Sequence, residues 1–166
     1  MTGPPHPAVF VSPHGFGHAA RAAAVMEALH RRSGARFELY SSSPRWFFDE
    51  SVGGLYRYHE VATDVGFFQT SALAIDLGAT VEAVRALVPF SKELVAGLAL
   101  EVRRAGCTAV LCDIAPLGIA VAGRAGLPSV LVQNFTWPWL YEPHLSEAPE
   151  LAPLSEELDG WFGRAT

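Results

Sequence analysis

Short apolar segments alternate with amphipathic segments along most of the chain. Residues 8–12 form a β-branched apolar run that ends at Pro13, and a second strand is predicted at residues 36–41. Between them, from residue 18 to about residue 32, apolar side chains recur at i, i+3, i+4 and i+7, which is the spacing of one helical face. Gly34 follows as a stop signal. The pattern predicts strand, glycine-rich turn, helix and strand in that order.

The middle of the chain carries a weaker pattern. Residues 44–48 are compatible with a helical turn, and residues 55–61 alternate as a strand does. Residues 65–70 are apolar, but their spacing favours no one type of element. From residue 77 to residue 104 the apolar positions mark a helical face that Pro89 interrupts. Because proline removes a backbone donor inside a helix, this stretch is predicted to be a kinked helix or two helices.

The last third of the chain returns to the order of strand and helix. Residues 108–112 and 129–132 are predicted to be buried strands, and the small-residue helix 116–125 between them is closed by Gly126. A final helix is predicted from about residue 150 to residue 162. Strands that are apolar throughout and alternate with helices are typical of parallel sheets. The predicted fold class is therefore α/β, with a Rossmann-like parallel sheet, helices on both faces and right-handed crossovers.

The composition indicates one globular domain over residues 1–166 and disfavours two classes of partner. Half of the residues are hydrophobic and 17% are charged, which excludes a disordered chain and favours a large apolar interior or a partner-facing surface. The net charge is −5, and the twelve Lys and Arg residues are scattered rather than clustered. We therefore expect neither nucleic acid nor an anionic membrane surface as a partner.

The chain carries no pattern of a secretory or membrane-spanning segment. The amino-terminal residues lack a basic, apolar and small-residue sequence of the kind that signal peptides have. The longest uncharged run, residues 125–141, contains two prolines and is shorter than the roughly 20 apolar residues of a membrane span. Cys107 and Cys112 have neither metal-binding nor CxxC spacing, so they are predicted to be buried and reduced. A cytoplasmic protein without a transmembrane segment is expected.

A glycine-rich turn between the first strand and the first helix is the first candidate site. Gly15-x-Gly17-x-x-Ala20 formally matches the dinucleotide-binding fingerprint. Glycines allow the backbone to approach a phosphate, and the start of a helix stabilises negative charge. However, the second strand ends in serines at 41–43, where an acidic ribose ligand is expected, and Glu38 lies in mid-strand. A nicotinamide-dependent oxidoreductase is therefore disfavoured.

His18 and Asp113 are candidates for a catalytic pair. His18 stands at the start of the first helix, where an imidazole can face the crevice and take a proton from a hydroxyl. Alternatively, it caps the helix or makes a structural hydrogen bond. Asp113 follows a buried strand and can be either the N-cap of the next helix or a carboxylate that orients His18. The order of the strands decides between these alternatives, because the two strand ends must be neighbours.

An aromatic segment at residues 133–141 follows the last predicted strand. Its aromatic side chains can close the core, but its amides and proline are also typical of a loop that shapes a ligand pocket. Both interpretations remain open at this point. The sequence contains no Asp-x-Asp pair for a metal–nucleotide complex, no Gly-x-Ser-x-Gly elbow and no P-loop.

Three separated motifs together resemble a known family. They are His14-Gly15-Phe16-Gly17-His18-Ala19-x-Arg21, Cys112-Asp113-Ile114-x-Pro116 and Val132-Gln133-Asn134-Phe135-Thr136-Trp137. In this order they resemble the amino-terminal, acceptor-side domain of GT-B glycosyltransferases. The likeness is clearest to the glycosyltransferase-like region of plant L-arabinokinases and their bacterial relatives, and it covers nearly the whole chain.

The resemblance implies a role for each motif. The turn made of His14, Gly15, Phe16 and Gly17 corresponds to the loop that approaches the donor diphosphate. His18 corresponds to the catalytic base of inverting members, and Asp113 corresponds to its orienting carboxylate. The acceptor pocket is assigned to Asn134, Phe135 and Trp137. The family's chemistry uses a nucleotide-diphosphate sugar as co-substrate, with no metal and no tightly bound cofactor.

Only the first of the two GT-B domains is matched, so the resemblance implies a partner. The functional hypothesis is the acceptor-side half of an inverting, metal-independent glycosyltransferase that acts on a small-molecule acceptor. A donor-binding domain or subunit would complete it, and we expect that partner to dock at the edge formed by the Gly15 turn, the Asp113 loop and residues 135–141. The alternative is a non-catalytic module of the same fold that binds a sugar, a nucleotide or a protein.

Overall fold

The computed structural model describes residues 3–71 and 73–165. Its α-helices are α1 (Phe16–Ser33), α2 (Arg45–Val52), α3 (Leu77–Leu87), α4 (Lys92–Arg104), α5 (Pro116–Ala125), α6 (Trp137–Tyr141) and α7 (Leu151–Phe162). Its strands are β1 (Ala8–Val11), β2 (Phe37–Ser41), β3 (Tyr56–Glu60), β4 (Phe68–Ser71), β5 (Ala74–Asp76), β6 (Val110–Asp113) and β7 (Ser129–Val132). A 3₁₀ turn at Glu142–His144 follows α6.

Five strands form one parallel sheet in the order β3-β2-β1-β6-β7. From β1 the chain adds β2 and β3 on one side, and later it adds β6 and β7 on the other side. The order therefore reverses between β1 and β6, where the last residue of β1, Val11, lies opposite Asp113. Crevices for ligands in open α/β sheets form at such a switch point, beyond the carboxyl ends of the strands.

Helices cover both faces of the sheet, so the predicted fold class is confirmed. Because side chains alternate along a strand, Val9 and Val11 point to one face while Ala8 and Phe10 point to the other. The first face packs against α1 and α2, which contribute Ala19, Met26 and Phe48. The second face packs against α3, α4, α5 and α7, and its buried residues include Val84, Val102, Leu117, Ile119, Val121 and Leu158.

Most predicted elements are present, and the structure decides two stretches for which the sequence pattern left alternatives open. Gly34 and Gly126 are the C-caps that end α1 and α5, as predicted. The stretch 77–104 is split in two: α3 ends at Leu87, and α4 begins after Ser91, whose side chain accepts a hydrogen bond from the backbone N–H of Leu94. The unclassified stretch 65–70 contributes β4, which pairs with β5 in a separate antiparallel hairpin.

Two further findings concern the state of the cysteines and the character of the helices. Cys107 and Cys112 are both free and buried, as their spacing predicted. Within residues 3–71 and 73–165, no helix combines the length and the apolar character that crossing a membrane requires.

Close contact between α5 and the sheet can be tested at Gly118. A Cβ at this position would lie 2.7 Å from Cys112 Sγ and 2.8 Å from Phe10 Cβ, so Gly118→Ala should overpack the core and lower the free energy of unfolding by about 1–3 kcal/mol. Gly123 is the matched control, because it lies on the same helix and a Cβ there would meet no atom within 4 Å. Gly123→Ala should be neutral or stabilising by about 0.5–1 kcal/mol. Urea unfolding measures both variants, and equal effects would contradict this packing.

Candidate functional site

His18 and Asp113 meet at the switch point of the sheet. Asp113 is the last residue of β6, and His18 lies in the first turn of α1, which follows β1 after a short turn. Because β1 and β6 are neighbours, the His18 Nδ1 atom lies 2.8 Å from Asp113 Oδ1, although the two residues are 95 positions apart in the chain. The predicted proximity of this pair is confirmed, while its catalytic role stays a prediction.

Asp113 does not cap the following helix, so that alternative is wrong. The N-cap position of α5 belongs to Ala115, and the Asp113 carboxylate turns to α1 instead. There it also accepts two hydrogen bonds from Arg21: Nε donates to Oδ2 at 2.7 Å, and Nη2 donates to Oδ1 at 2.6 Å. This fork is the bidentate geometry in which arginine binds carboxylates most strongly. His18 and Arg21 are three positions apart, so they share one face of α1.

Arg21 keeps the Asp113 carboxylate charged. Burial alone would raise the pKa of Asp113, whose exposed fraction is 4%, but the hydrogen bonds from Arg21 and His18 outweigh burial and hold that pKa below its ordinary value. An ionised carboxylate can only accept hydrogen bonds, so the proton of a neutral His18 ring belongs on Nδ1. Among the described residues, no group hydrogen-bonds to His18 Nε2. That nitrogen can therefore accept a proton from a ligand.

A strained residue follows the carboxylate. Ile114 has a φ of 49°, in the left-handed region that a β-branched side chain rarely adopts. Its side chain is fully buried, and its backbone N–H donates to the Val132 carbonyl at 3.2 Å. Such a conformation costs about 1–3 kcal/mol and persists only where the surrounding structure enforces it. Strain of this kind is concentrated at functional sites, which agrees with the position of Asp113 next to it.

The glycine turn exposes the amino end of α1. Gly15 has a φ of 86°, which a glycine adopts without strain, and it occupies the N-cap position of α1. The side chain of Phe16 is 50% exposed and stacks on Phe47, with ring centroids 5.2 Å apart. Gly15, Phe16 and Gly17 are all exposed, so the backbone of the first turn of α1 faces solvent. Their predicted contact with a diphosphate stays a prediction.

His14 lies inside the turn and faces the aromatic segment. Its ring packs edge-on against the Trp137 ring, with centroids 5.0 Å apart at an angle of 87°. Burial lowers the pKa of His14, and the positive charge of a protonated His18 lowers it further. His14 is therefore neutral at neutral pH.

The aromatic segment takes part in both the core and the site. Asn134 Oδ1 accepts a hydrogen bond from Arg21 Nη1 at 3.0 Å, and the Phe135 ring packs edge-on against His18 at 5.8 Å. Trp137 begins the short helix α6 and is only 1% exposed, so it supports the site from behind rather than offering surface to a ligand. The structure thus brings Asn134 and Phe135 to the His18 centre and places Trp137 beneath them.

Asp64 is a candidate residue that the sequence analysis missed. It lies in the loop after β3, with Oδ2 accepting a hydrogen bond from the Trp137 indole N–H at 2.6 Å. Burial raises the pKa of Asp64 to about 7, and the negative charge of Asp113 adds to the increase, while Trp137, the Ser12 hydroxyl and the charge of His18 oppose it. A lone Asp just beyond the predicted strand 55–61 was the available signal, but the spacing of residues 65–70 after it favoured no one type of element.

Glu38 does not lie near the glycine turn. It is 4% exposed and lies near the start of β2, where its carboxylate contacts His59 Nε2 at 2.6 Å and His6 Nε2 at 3.3 Å. An acidic ligand for a dinucleotide ribose is expected at the carboxyl end of this strand. The position and the pairing of Glu38 therefore agree with the sequence-based argument against a nicotinamide cofactor.

The fork between Arg21 and Asp113 can be tested by unfolding. Arg21→Met should lower the free energy of unfolding by roughly 3 kcal/mol, because it leaves a buried carboxylate with only His18 as a charge partner. Arg31→Met is the matched control, since Arg31 pairs with Glu27 on an exposed face of the same helix at 2.8 Å and should contribute less than about 1 kcal/mol. Chemical denaturation distinguishes the two, and similar losses would contradict a buried, charge-balanced Asp113.

The ionisation of Asp64 predicts a pH-dependent difference in stability. The pKa of Asp64 is about 7 in the folded chain, whereas an unfolded Asp titrates near pH 4, so the folded state binds more protons between these values. This carboxyl therefore destabilises the folded chain increasingly as the pH rises from about 4 to 7. Asp64→Asn cannot ionise but keeps an acceptor for the Trp137 indole. The free energy of unfolding of Asp64→Asn should gain a few kcal/mol relative to wild type across this window. Parallel pH profiles of the two proteins would contradict the shift.

Comparison with known proteins supplies relatives in both sequence and structure. No family model matches the chain. The chain is 28% identical over 144 residues to the L-arabinokinase of Arabidopsis thaliana, a match that covers 85% of this chain and 14% of the relative. The chain therefore spans about a seventh of the length of that curated relative.

Solved glycosyltransferases share the fold. UGT89C1 of Arabidopsis thaliana, solved with quercetin, superposes with a TM-score of 0.58 at 15% identity, over 95% of this chain and 41% of that one. UGT2 of Phytolacca americana, solved with UDP-2-fluoro-glucose and pterostilbene, superposes with a TM-score of 0.55 at 16% identity, over 92% of this chain and 36% of that one. These neighbours are GT-B glycosyltransferases, so the predicted resemblance is confirmed. The chain has the fold of a GT-B glycosyltransferase domain and covers about two fifths or less of the enzymes that it resembles.

Proposed function

We propose that this chain is the acceptor-side, amino-terminal half of an inverting, metal-independent glycosyltransferase that uses a nucleotide-diphosphate sugar. The observation that carries the proposal is the hydrogen bond of 2.8 Å between His18 Nδ1 and Asp113 Oδ1 at the switch point of the sheet. It orients an imidazole whose second nitrogen is available to a substrate. A GT-B fold supports the reaction class, and the His18 geometry supports the role of a base.

In the proposed reaction, His18 Nε2 takes the proton of an acceptor hydroxyl as the oxygen attacks the anomeric carbon of the donor. The new bond joins the acceptor oxygen to that carbon, and the bond between the carbon and the diphosphate oxygen breaks. The diphosphate leaves with the electron pair, and one displacement inverts the anomeric configuration. Asp113 stabilises the imidazolium that forms, as the orienting carboxylate does in a catalytic triad. Arg21 supports this role because it keeps Asp113 ionised.

The glycine turn is the proposed contact for the leaving diphosphate. Its backbone is exposed at the amino end of an 18-residue helix, where N–H groups and the helix dipole favour negative charge. His14, Gly15, Phe16 and Gly17 form this contact, and Asn134 and Phe135 line the acceptor side with Trp137 behind them. UGT2 of Phytolacca americana, which shares the fold, was solved with a UDP-sugar analogue. We therefore propose a nucleotide-diphosphate sugar as co-substrate, with no tightly bound cofactor.

A donor-binding domain or subunit is the proposed partner. In-line transfer needs a base on the acceptor and a second surface that holds the donor, and effective catalysis depends on both being positioned together. The chain covers 36–41% of the two glycosyltransferases described above, which leaves room for such a domain. We also propose that the reaction takes place in the cytoplasm, where the buried cysteines would stay reduced.

Replacement of His18 tests the proposed base. The chain alone should transfer no sugar, whereas the chain completed by a donor-binding domain should transfer it, and His18→Ala should then reduce kcat roughly 10²–10⁴-fold. Donor affinity, measured by calorimetry with the nucleoside diphosphate, should stay nearly unchanged. His30→Ala is the matched control, because His30 lies at the other end of α1. Within the described residues, its ring makes one hydrogen bond, to the Ala35 carbonyl at 2.9 Å.

Two outcomes would decide against the proposal. Unchanged turnover in His18→Ala would assign His18 a structural role. Ligand binding by the completed protein without any turnover would favour the non-catalytic module instead.

A further inference from the structure

Asp64 is buried at the same edge of the sheet as the His18 centre, yet the proposed reaction does not use it. Its exposed fraction is 4%, and Oδ1 makes no hydrogen bond of good geometry within the described residues, although the nearby Ser12 hydroxyl helps to lower the pKa of Asp64. Oδ2 accepts a hydrogen bond of 2.6 Å from the Trp137 indole N–H. A buried carboxyl with one unpartnered oxygen destabilises a fold, so it calls for a functional explanation.

The Trp137 ring connects Asp64 to both histidines of the glycine turn. On one side the ring contacts His14, with centroids 5.0 Å apart. On the other side it contacts Phe135 at 5.4 Å, and Phe135 in turn contacts His18 at 5.8 Å. All three contacts are edge-on or nearly so, at angles between 73° and 87°. The indole hydrogen bond therefore fixes the orientation of the ring on which the others depend.

The backbone of Gly66 packs closely against the His14 and Trp137 rings. A Cβ at Gly66 would overlap the His14 ring and would lie 2.7 Å from the edge of the Trp137 ring. Gly66 is two positions after Asp64, in a loop segment that Tyr141 also holds, since its hydroxyl donates to the Val65 carbonyl at 2.7 Å. The loop after β3, the glycine turn and the aromatic segment are thus packed together around one indole.

A cleft opens directly beside this packing. It has a volume of about 340 Å³ and is lined by Pro13, His14, Asp64 and residues 65–69. That volume is within the range of small-molecule sites. Asp64 and His14 form part of its wall, and both contact Trp137, so the ring lies directly behind this wall.

We propose that Asp64 is a positioning residue of the transfer site, which acts through the Trp137 indole to orient Phe135 and His14 and so shapes the cleft that receives the acceptor. The proposal rests on the proposed function and adds to it a carboxyl that touches neither the reacting atoms nor the donor. It differs from Asp113, which contacts the base directly.

The charge of Asp64 makes the proposal testable without a substrate. Its pKa is about 7, chiefly because of burial, so the carboxyl changes its charge close to neutral pH. The titratable groups that face it are His18 and Asp113 from α1 and β6, Tyr141 from α6, and His14 across the Trp137 ring. An indole N–H that donates to a carboxylate is more strongly polarised than one that donates to a neutral acid or amide.

The first experiment follows the Trp137 indole ¹H–¹⁵N signal of the chain by NMR as a function of pH. The signal is assigned by its absence in Trp137→Phe. It should titrate with a midpoint near pH 7 in the wild type, and in Asp64→Asn it should show no step of that size, because the amide cannot ionise. A Trp137 signal with the same titration in both proteins would overturn the proposal.

A second tryptophan offers a matched control. The Trp161 indole N–H donates to Glu157 Oε1 at 3.0 Å within α7, and the ring contacts described for Trp161 are with Phe90 and Arg164 rather than with the residues around His14. Glu157→Gln should shift only the Trp161 signal and leave that of Trp137 unchanged. A response of the Trp137 signal to Glu157→Gln would mean that the signal reports the whole fold, and it would overturn the proposal.

The second experiment separates positioning from folding by kinetics of the chain completed with a donor-binding domain. Asp64→Leu should raise the acceptor KM roughly tenfold, the effect of one lost buried hydrogen bond, with a much smaller change in kcat. Asp64→Asn, which keeps an acceptor for the indole, should restore most of the acceptor KM. If Asp64→Leu does not fold, the comparison of wild type with Asp64→Asn by NMR still decides the proposal.

The two proposals fail in different ways. A completed wild-type enzyme that transfers no sugar would overturn the proposed function, while the NMR experiment would still report on the link between Asp64 and Trp137. Transfer by the wild type together with an unchanged acceptor KM in Asp64→Leu would overturn the positioning role and leave the proposed function standing.

Discussion

The buried carboxylate of Asp113 must stay charged for the site to have the geometry described above, and this depends on Arg21. Without a cation, a carboxylate that is 4% exposed would gain a proton and could donate a hydrogen bond as well as accept one. The guanidinium fork removes that freedom, so the Nδ1 proton of His18 has a fixed acceptor. Since His18 and Arg21 are one turn apart on α1, a single helix supplies both the oriented ring and the cation that keeps its partner charged.

A second carboxyl at the same edge has the opposite surroundings. Asp64 receives an indole hydrogen bond and no guanidinium, so burial dominates and its pKa is raised, while the pKa of Asp113 is lowered. Environments that separate two nearby carboxyl groups in this way allow one to be a permanent anion and the other to carry a proton near neutral pH. The two carboxyls can therefore have different roles around one imidazole.

Unusual backbone and close packing occur together at this edge. Ile114 adopts a left-handed conformation immediately after Asp113, and Gly15 has a positive φ immediately before α1. Gly66 is held against His14 and Trp137 so closely that it has no room for a side chain. Regular strands and helices alone would not bring these loops into contact. The unusual backbone conformations at the carboxyl edge of the sheet are thus explained by the contacts between loops that they allow.

The sequence by itself determined the order and most of the bounds of the elements around the site. Helix α5 at Pro116–Ala125 and strand β7 at Ser129–Val132 have the predicted limits, because apolar periodicity, a proline at the start and a glycine at the end are local signals. The pairing of His18 with Asp113 was also predicted, from two polar residues at strand ends together with the family resemblance. The N-cap alternative for Asp113 stayed open until the backbone was known.

Only the tertiary structure decided which side chains share the site. The fork from Arg21 joins residues 92 positions apart, and the hydrogen bond between Asp64 and Trp137 joins residues 73 positions apart. Local periodicity contains no information about such contacts, since they arise when parallel strands pair and bring distant loops to one edge. The chain pattern therefore predicts a sheet and its candidate edge, whereas the charge on each buried group is set by neighbours that only folding brings together.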